Sequence, residues 1–354
     1  MMNFSQTIIR WYNKNKRDLP WRHTKDPYKI WLSEIILQQT RVQQGLPYYE
    51  TFVKNFPTVQ HLAKAQEGLI MKTWQGLGYY SRARNLHHTA KFISSKLKGK
   101  FPNEYEDIKN LKGIGDYTAA AIASFAFNQP HAVVDGNVFR VLARYLGIKT
   151  PIDSTEGKKE FAREAEMLLD KKDPGTFNQA IMEFGARQCV PQNPDCRICP
   201  LKKGCKALSR NKVEDLPIKS KKIKSRTRYF NYLVLRKNGK TLIRKRVEKD
   251  IWKNLYDFPM IETKRWPPLN PLLQRGLVLR NSSASGKLDF APKIFKHILS
   301  HQTIFARFWE VKNLGNGNKY NSKNHMYIND NQLYKYAFPR LIALYFEEQK
   351  TKKQ

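Results

Sequence analysis

Four cysteines, the only ones in the chain, lie within seventeen residues: Cys189, Cys196, Cys199 and Cys205. They leave no thiol for a disulfide elsewhere, which indicates a reducing compartment and a shared metal site. Zinc ribbons usually offer two Cys-x2–4-Cys pairs separated by a longer loop, and only one such pair exists here. Four thiolates on one compact loop suit a cubane iron–sulfur cluster, which takes one ligand per iron. We therefore expect one [4Fe-4S] cluster, with zinc as the alternative.

The chain carries 64 Lys and Arg residues against 30 Asp and Glu, a formal net charge of +34. Phosphates bind Lys and Arg with release of condensed counterions, so an excess of this size indicates a nucleic acid partner. A lysine-rich composition bias is the alternative explanation for part of the excess. No apolar run approaches transmembrane length, and the first residues are polar rather than signal-like. We expect a monomer in the bacterial cytoplasm, associated with the nucleoid through DNA and with no membrane.

A length of 354 residues with 41% hydrophobic side chains predicts more than one domain. Residues 1–205 show helical spacing and form a predicted all-α domain. Residues 206–228 are rich in basic side chains and are interpreted as a linker. Residues 229–349 are predicted to form a smaller α+β domain, and residues 350–354 a tail.

Several elements can be predicted within these domains. In the first, apolar residues at helical spacing run from Ile30 to Leu46, and Pro47 is predicted to open a further segment. In the second, Asn238-Gly239 between two apolar runs is a strong hairpin signal. The other predicted elements are helices at Phe161–Leu169, Phe177–Phe184 and Pro339–Glu348, and strands at Tyr229–Arg236, Lys240–Arg246 and Ile304–Val311.

A glycine-containing turn precedes a helix of small residues at Leu111–Ala119, which includes Gly113 and Gly115. Two glycines at a turn into a helix allow backbone N–H groups to approach a phosphate closely, with the helix dipole behind them. An ordinary helix–turn–helix that needs glycine for a positive φ is the alternative, because such turns are common.

Two carboxylates are candidates for acid–base chemistry. Glu34 lies on a largely apolar helical stripe, where burial would raise its pKa and keep it protonated as a general acid. Asp135 precedes a helical segment and could stabilise a developing positive charge. The alternatives are a glutamate at a helix flank that reaches solvent, and an aspartate that only caps a helix.

Taken together, these motifs resemble the endonuclease III superfamily of DNA glycosylases, and Ser33–Val42 closely resembles its MutY family of adenine glycosylases. The resemblance implies a helix–hairpin–helix at about residues 104–126 and an iron–sulfur loop at 189–205. It also implies that Glu34 protonates adenine, that Asp135 stabilises the sugar cation, and that Asn137 supports Asp135. Tyr117 occupies the position of the lysine that makes other members lyases. The resemblance therefore implies a monofunctional enzyme in which Tyr117 supports Asp135.

The resemblance extends to substrate recognition. It implies that Arg22 lines the adenine pocket, and that Gln39 and Tyr79 wedge into the duplex near the orphaned base. The C-terminal part resembles a Nudix-like domain. Because Gln274–Lys293 contains no glutamate for magnesium, this domain should bind rather than hydrolyse. Its Leu299, Ser300 and His301 match a loop that inspects 8-oxoguanine, with leucine in place of the family's phenylalanine.

These observations predict an adenine DNA glycosylase of base excision repair, acting on double-stranded DNA with adenine opposite 8-oxoguanine or guanine. Two other functions stay open on the sequence. One is a bifunctional glycosylase and lyase of the endonuclease III kind, against which Tyr117 and the C-terminal domain argue. The other is a non-catalytic DNA-binding or redox-sensing iron–sulfur protein.

Overall fold

The computed structural model describes residues 3–220, 225–266, 293–299, 301–311 and 324–351. It divides into two compact units, residues 1–64 with 85–222 and residues 65–84 with 223–354. The second unit therefore takes up a short segment from the N-terminal half of the chain. The predicted domain boundaries at residues 205, 228 and 349 stay predictions. Several residues that the sequence singles out lie outside the described ranges. They are Ser300, residues 221–224 of the linker, residues 352–354 of the tail, and Gln274–Lys293 except for Lys293 itself.

The N-terminal half is helical, as the sequence predicts. Its apolar core includes the fully buried side chains of Trp31, Phe161, Phe177 and Phe184. The helices up to the cysteine loop and just beyond it are α1 Phe4–Asn15, α2 Pro27–Leu37, α3 Val42–Asn55, α4 Val59–Lys64, α5 Glu67–Thr73, α6 Ser81–Lys96, α7 Tyr105–Lys109, α8 Asp116–Phe127, α9 Gly136–Leu146, α10 Thr155–Leu168, α11 Pro174–Arg187 and α12 Lys206–Ser209.

The predicted start of a segment at Pro47 is wrong. The chain breaks earlier, after α2, where Gln39 adopts a left-handed φ of 53°. Helix α3 then begins at Val42 and continues through Pro47 to Asn55. Proline removes one backbone hydrogen bond from a helix interior, but Tyr49 and Phe52 are buried on the same helix, and their burial favours its continuation.

Helices α8, α9 and α11 bring distant parts of the sequence together. Gly185 lets α11 approach α9 closely, because a Cβ added there would lie 2.7 Å from the Cβ of Asn137. The buried Asn178 amide donates to the Ser124 hydroxyl and the His131 carbonyl, at 2.9 and 2.8 Å, and accepts from the Val133 N–H. These bonds fix the segment that leads into α9, and therefore the position of Asp135.

The C-terminal half contains a mixed sheet in the order β3-β2-β1-β6-β5, with β4 also on β1 and β7 also on β2. The long central pair β1 and β6 is parallel, with Arg226 opposite Gln302. Helix α13 closes the domain, and Tyr345 from it stacks on Phe308 with ring centroids 4.3 Å apart. The elements are β1 Arg226–Lys237, β2 Lys240–Lys245, β3 Tyr256–Asp257, β4 Met260–Thr263, β5 Ile294–Leu299, β6 Gln302–Val311, β7 His325–Asn329 and α13 Arg340–Thr351.

The hairpin predicted at Asn238-Gly239 is confirmed. Both residues have positive φ, 49° and 70°, as the tight turn between two twisted strands requires. The strands predicted on either side, the strand near Ile304 and the closing helix are confirmed as well. The described structure thus has the predicted fold class, an all-α domain followed by a smaller α+β domain.

Candidate active site

A cavity of about 540 Å³ opens in the helical unit. Its wall brings together five residues predicted to act there: Arg22, Glu34, Tyr117, Asp135 and Asn137. They come from separate parts of the chain, namely a turn, α2, α8, the start of α9 and its first turn. A pocket of this size with a few convergent polar groups has the features of a site for a small organic group such as a base.

Glu34 is a buried acid in the interior of α2, and only 6% of it is exposed. Its pKa is raised to about 7, mainly by burial and also by the Asp135 carboxylate, against the opposing effects of the hydrogen bond from Tyr117 and the charge of Arg22. A carboxyl group with a pKa near 7 is protonated in part at neutral pH. Glu34 can therefore donate a proton to a bound group and take one back, as a general acid and base must.

Tyr117 projects from the first turn of α8 toward Glu34. Its hydroxyl donates a hydrogen bond of 2.7 Å to Glu34 Oε2. The resemblance predicted a contact with Asp135, whereas the structure shows this bond to the acid. Burial and the neighbouring carboxylates of Glu34 and Asp135 raise the pKa of Tyr117 well above its ordinary value. The phenol therefore stays protonated and acts as a fixed donor to Glu34.

Asp135 caps α9. Its Oδ1 accepts from the backbone N–H groups of Asn137 and Val138, both at 2.8 Å, and its Oδ2 accepts from the Asn137 amide, also at 2.8 Å. Burial raises the pKa of Asp135, and these three donors act against that rise. A carboxylate held by three donors in a pocket can serve both as a helix cap and as a stabiliser of positive charge.

The sequence interpretation missed a second buried acid in the same wall, Glu183 of α11. It accepts from Arg17 and Arg22, the shortest bond to each being 2.6 and 2.8 Å. Burial by itself raises the pKa of Glu183, but the bonds from Arg17 and Arg22 outweigh it and hold the pKa at about 2. Two acids in one pocket thus have opposite pKa shifts. The sequence signal was weak, because the residues three and four positions from Glu183 on α11 include Gln179 and Arg187 and form no apolar stripe.

A single arginine connects the site with the cysteine loop. Arg140 donates to the Asn137 side-chain oxygen at 2.9 Å and to the Cys189 carbonyl at 2.7 Å. Since Asn137 in turn donates to Asp135, one chain of hydrogen bonds runs from the carboxylate to the loop. The sequence did not suggest this role, because Arg140 reads as an ordinary basic residue of an amphipathic helix.

The cysteine loop is tied to α9 by Arg144, which is 2% exposed. Its guanidinium donates to the carbonyls of Val190 and Pro191, at 2.7 and 2.9 Å, and lies 3.5 Å from Cys189 Sγ. All four cysteines are half-buried, and none of them forms a disulfide. The pKa of Cys199 is raised to about 11, mainly by burial and also by the thiols of Cys189, Cys196 and Cys205. Among the described residues, no three Cys, His, Asp or Glu side chains are arranged to hold a metal ion.

The glycine-containing turn has the geometry of a helix–hairpin–helix. Gly113 has a φ of 86°, and a Cβ added to it would lie 2.7 Å from the Cβ of Asn85. Gly115 precedes α8 as its N-cap. The Thr89 hydroxyl donates to the Lys112 carbonyl at 2.8 Å and holds the turn from α6. Gly113 is therefore required by both its backbone conformation and its close neighbours.

The remaining predicted residues lie outside this cavity. Tyr79, with φ 46°, lines a second cavity of about 510 Å³ together with Leu299 and His301, and all three belong to the second compact unit. Gln39 is exposed at the break between α2 and α3. Ser300 lies outside the described residues, so its position is not assigned.

The sequence matches two family models. One describes an HhH-GPD superfamily base excision DNA repair protein and covers residues 32–169, and the other describes a NUDIX domain and covers residues 231–348. A protein of Buchnera aphidicola subsp. Baizongia pistaciae named adenine DNA glycosylase is 39% identical over 314 residues, which is 88% of this chain and 86% of that protein. The chain belongs to the adenine DNA glycosylase family.

Two solved structures are similar to this chain. A thermostable thymine-DNA glycosylase is 32% identical, with a TM-score of 0.55 over 58% of this chain and 95% of that one. A non-covalent endonuclease III–DNA complex, at 19% identity, has a TM-score of 0.51 over 59% of this chain and 99% of its own, and it shows the fold alone. The predictions of an adenine DNA glycosylase and of a Nudix-like C-terminal domain are confirmed. In the described part of the chain, no helix is both long enough and apolar enough to span a membrane.

Proposed function

We propose that this member of the adenine DNA glycosylase family hydrolyses the N-glycosidic bond of adenine mispaired with 8-oxoguanine or guanine in double-stranded DNA. The observation that carries this proposal is the buried pair of carboxylates in one cavity, Glu34 with a pKa of about 7 and Asp135 under three hydrogen bonds. The Buchnera relative is named adenine DNA glycosylase. A base must leave the stack to reach such a cavity, so the enzyme would flip adenine out of the duplex.

In the proposed reaction Glu34 donates its proton to a ring nitrogen of adenine, which makes the base a leaving group. The bond between the sugar C1′ and the base nitrogen then breaks, and its electron pair leaves with adenine. Asp135 stabilises the positive charge that develops on the sugar. A water molecule adds to C1′ and gives a proton to the Glu34 carboxylate, so that the acid is restored and an abasic site remains.

We propose that the reaction stops at the abasic site. A lyase needs an amine that forms a Schiff base with C1′, and the hairpin position that would supply it is Tyr117, whose hydroxyl donates to Glu34. A duplex with adenine opposite 8-oxoguanine, incubated with the protein and then treated with alkali, tests this directly. We expect strand breaks only after alkali. Breaks without alkali would indicate a lyase, and no breaks at all would indicate a non-catalytic binding protein.

We propose that the second cavity reads the base opposite adenine. It is lined by Tyr79, Leu299 and His301, so that an aromatic ring, an apolar side chain and an imidazole face one space. Base recognition commonly combines stacking on aromatic rings with hydrogen bonds to base edges. Ser300 would add a hydroxyl to this set, Gln39 would wedge into the duplex from its exposed turn, and Arg22 would line the adenine pocket. Gly113 and Gly115 would bind backbone phosphate.

We also propose that Cys189, Cys196, Cys199 and Cys205 hold one [4Fe-4S] cluster. The donor set is four neighbouring thiols. A cubane cluster takes one thiolate at each of its four irons, whereas a single zinc ion would need all four sulfurs around it. The cluster would supply cross-links that fold the loop. Iron and acid-labile sulfide measured on the purified protein, with zinc measured in parallel, test this: four irons and four sulfides per chain are expected, and stoichiometric zinc would contradict it.

Finally, we propose that the protein acts as a monomer in the bacterial cytoplasm, associated with the nucleoid through its formal charge of +34. Light scattering on the protein with and without a short duplex tests the monomer. A scattering mass of two chains per duplex would contradict it.

A further inference from the structure

The second compact unit contains a polar cluster that the proposed reaction does not use. Glu67 and Arg84, from the segment at residues 65–84, lie against Lys253 and Asn254 of the C-terminal domain. The Asn254 amide donates to Glu67 Oε1 at 2.6 Å, and the Arg84 guanidinium donates to the Lys253 carbonyl at 2.9 Å. We call these four residues the clasp. All four are half-buried, and the paired residues lie 187 and 169 positions apart in the sequence.

Three further hydrogen bonds, around Lys72 and Gln75, support the clasp. Lys72 donates to the Tyr336 carbonyl at 3.1 Å and to the Gln75 side-chain oxygen at 2.9 Å. The Phe338 N–H also donates to that oxygen, at 3.5 Å. Burial lowers the pKa of Arg84, and the nearby Glu67 carboxylate acts against that effect. Polar groups therefore tie the segment to the C-terminal domain, and their hydrogen bonds fix an orientation as well as a distance.

The clasp contacts a turn at residues 250–254, which ion pairs of Asp250 also stabilise. Asp250, at the start of that turn, accepts from Arg228 at 3.0 Å and from Arg246 at 2.6 Å. Asn254, at its end, has a left-handed φ of 69° and donates its N–H to the Arg246 carbonyl at 2.7 Å. Between them lies Trp252, which is 4% exposed. The ion pairs of Asp250 and the hydrogen bonds of the clasp together restrain the position of the turn.

Arg84 of the clasp lines the second cavity, and so do Asp250 and Trp252 of the turn that the clasp contacts. Tyr79, Leu299 and His301 line the same cavity. The spacing between the Tyr79 turn and the residues proposed to inspect the lesion thus depends on what joins residues 65–84 to the C-terminal domain. We propose that Glu67 and Arg84 are positioning residues that set this spacing and thereby the preference for 8-oxoguanine over guanine opposite adenine. This inference rests on the proposed function.

The test compares adenine release by the full chain from two duplexes, with 8-oxoguanine or guanine opposite adenine, in single-turnover reactions over a range of enzyme concentrations. These give a dissociation constant and a saturating rate constant for each duplex. In Arg84→Met and Glu67→Ala we expect the preference in dissociation constant to fall about tenfold, as the loss of a hydrogen bond to a charged group suggests. The saturating rate constant with guanine should stay within about twofold, because the catalytic cavity is untouched.

Three further variants separate positioning from general damage. Glu67→Gln keeps the acceptor oxygen for Asn254 and Arg84→Lys keeps a donor, so both should restore most of the preference. The double variant Glu67→Ala/Asn254→Ala should lose no more than either single variant, because the two side chains form one bond. Arg163→Met removes the same charge from an exposed site on α10 and should leave the preference unchanged.

The inference is overturned if Arg84→Met and Glu67→Ala keep the wild-type preference, or if they weaken both duplexes equally. It is also overturned if they lower the saturating rate constants with both duplexes in step with their thermal stability. Failure of the proposed function would look different, since the unmodified protein would then release no adenine from either duplex.

Discussion

The two cavities of this protein are similar in volume, about 540 and 510 Å³, but their walls are built from different chemistry. The first contains carboxylates whose hydrogen bonds are supplied by neighbouring side chains and whose pKa values are shifted up or down. The second presents Tyr79, which is 41% exposed, and lies next to Ile298, which is 68% exposed. The first has the features of a site that moves protons, and the second those of a surface that holds a stacked base.

Under the proposed function, this difference separates the reaction in the first cavity from recognition of the opposite base in the second. In the first cavity Tyr117 and Asn137 each support one carboxylate, so a small change should alter the rate constant. In the second cavity Tyr79, Ile298 and Leu299 offer aromatic and apolar surface beside polar groups such as His301, and a small change to that surface should alter affinity instead. This contrast is contradicted if variants of both cavities change the same quantity, whether the rate constant or the affinity.

The largest effect is expected for Glu34→Gln. The amide keeps an oxygen that can accept from Tyr117, but it cannot donate a proton to a ring nitrogen with the strength of a carboxylic acid. General acid catalysis contributes about 10²–10⁴-fold, so adenine release should fall by about three orders of magnitude with duplex affinity retained. Single-turnover adenine release and duplex binding by fluorescence anisotropy measure the two quantities.

Glu156→Gln is the matched control, because Glu156 is an exposed acid in the first turn of α10. It should behave as the unmodified protein. Adenine release by Glu34→Gln at the normal rate would remove Glu34 from the role of acid, and with it the contrast between the two cavities.

A smaller loss is expected for Arg140→Lys. Lysine cannot reach the Asn137 oxygen and the Cys189 carbonyl at once, so Asn137 loses the partner that orients it toward Asp135. A misplacement of about 1 Å at a reacting group can cost about 10²-fold, so we expect a 10- to 100-fold lower rate constant with similar affinity. Arg163→Lys, at an exposed position, is the control. An equal loss of affinity in Arg140→Lys would point to folding of the loop rather than to orientation of the carboxylate.

The sequence predicted the first cavity better than the second. The apolar helical stripe and the helix start made Glu34 and Asp135 candidates, and the resemblance of their segments to the glycosylase family assigned them their roles. Glu183 has no such stripe around it and was missed. Arg140 and Arg144 could not be found, since their roles depend on carbonyls about fifty residues away that only the packing of α9 against the cysteine loop brings near.

The second cavity is harder to predict for the same physical reason. Tyr79 and Leu299 lie 220 positions apart in the sequence, and no periodicity connects them. The clasp residues Glu67 and Arg84 read as ordinary charges on helices of the N-terminal half. The Asn238-Gly239 turn between two apolar runs did predict the hairpin, because turn geometry is local.

Leu299→Ala sharpens the comparison from the side of the second cavity. Removal of three carbons from a half-buried leucine costs about 1 kcal/mol of contact with a base, and hence about fivefold in affinity for the duplex with 8-oxoguanine. The saturating rate constant should not change. Leu69→Ala removes the same atoms from an exposed position on α5 and should alter neither quantity. A lower saturating rate constant in Leu299→Ala, at unchanged affinity, would contradict a recognition role for this wall.

The smallest effect is expected in the pH dependence of Tyr117→Phe. Glu34 must be protonated to act as the acid, so the rate constant should fall as the pH rises above its pKa of about 7. The hydrogen bond from Tyr117 lowers that pKa, and its loss moves the pKa upward. Although slower at its maximum, Tyr117→Phe should therefore retain a larger fraction of its maximal rate constant at pH 8 than the unmodified protein, by about twofold. Single-turnover release from pH 5 to 9 measures this, with Tyr334→Phe, at an exposed position, as control. A limb that moves to lower pH would mean that the phenol stabilises protonated rather than ionised Glu34.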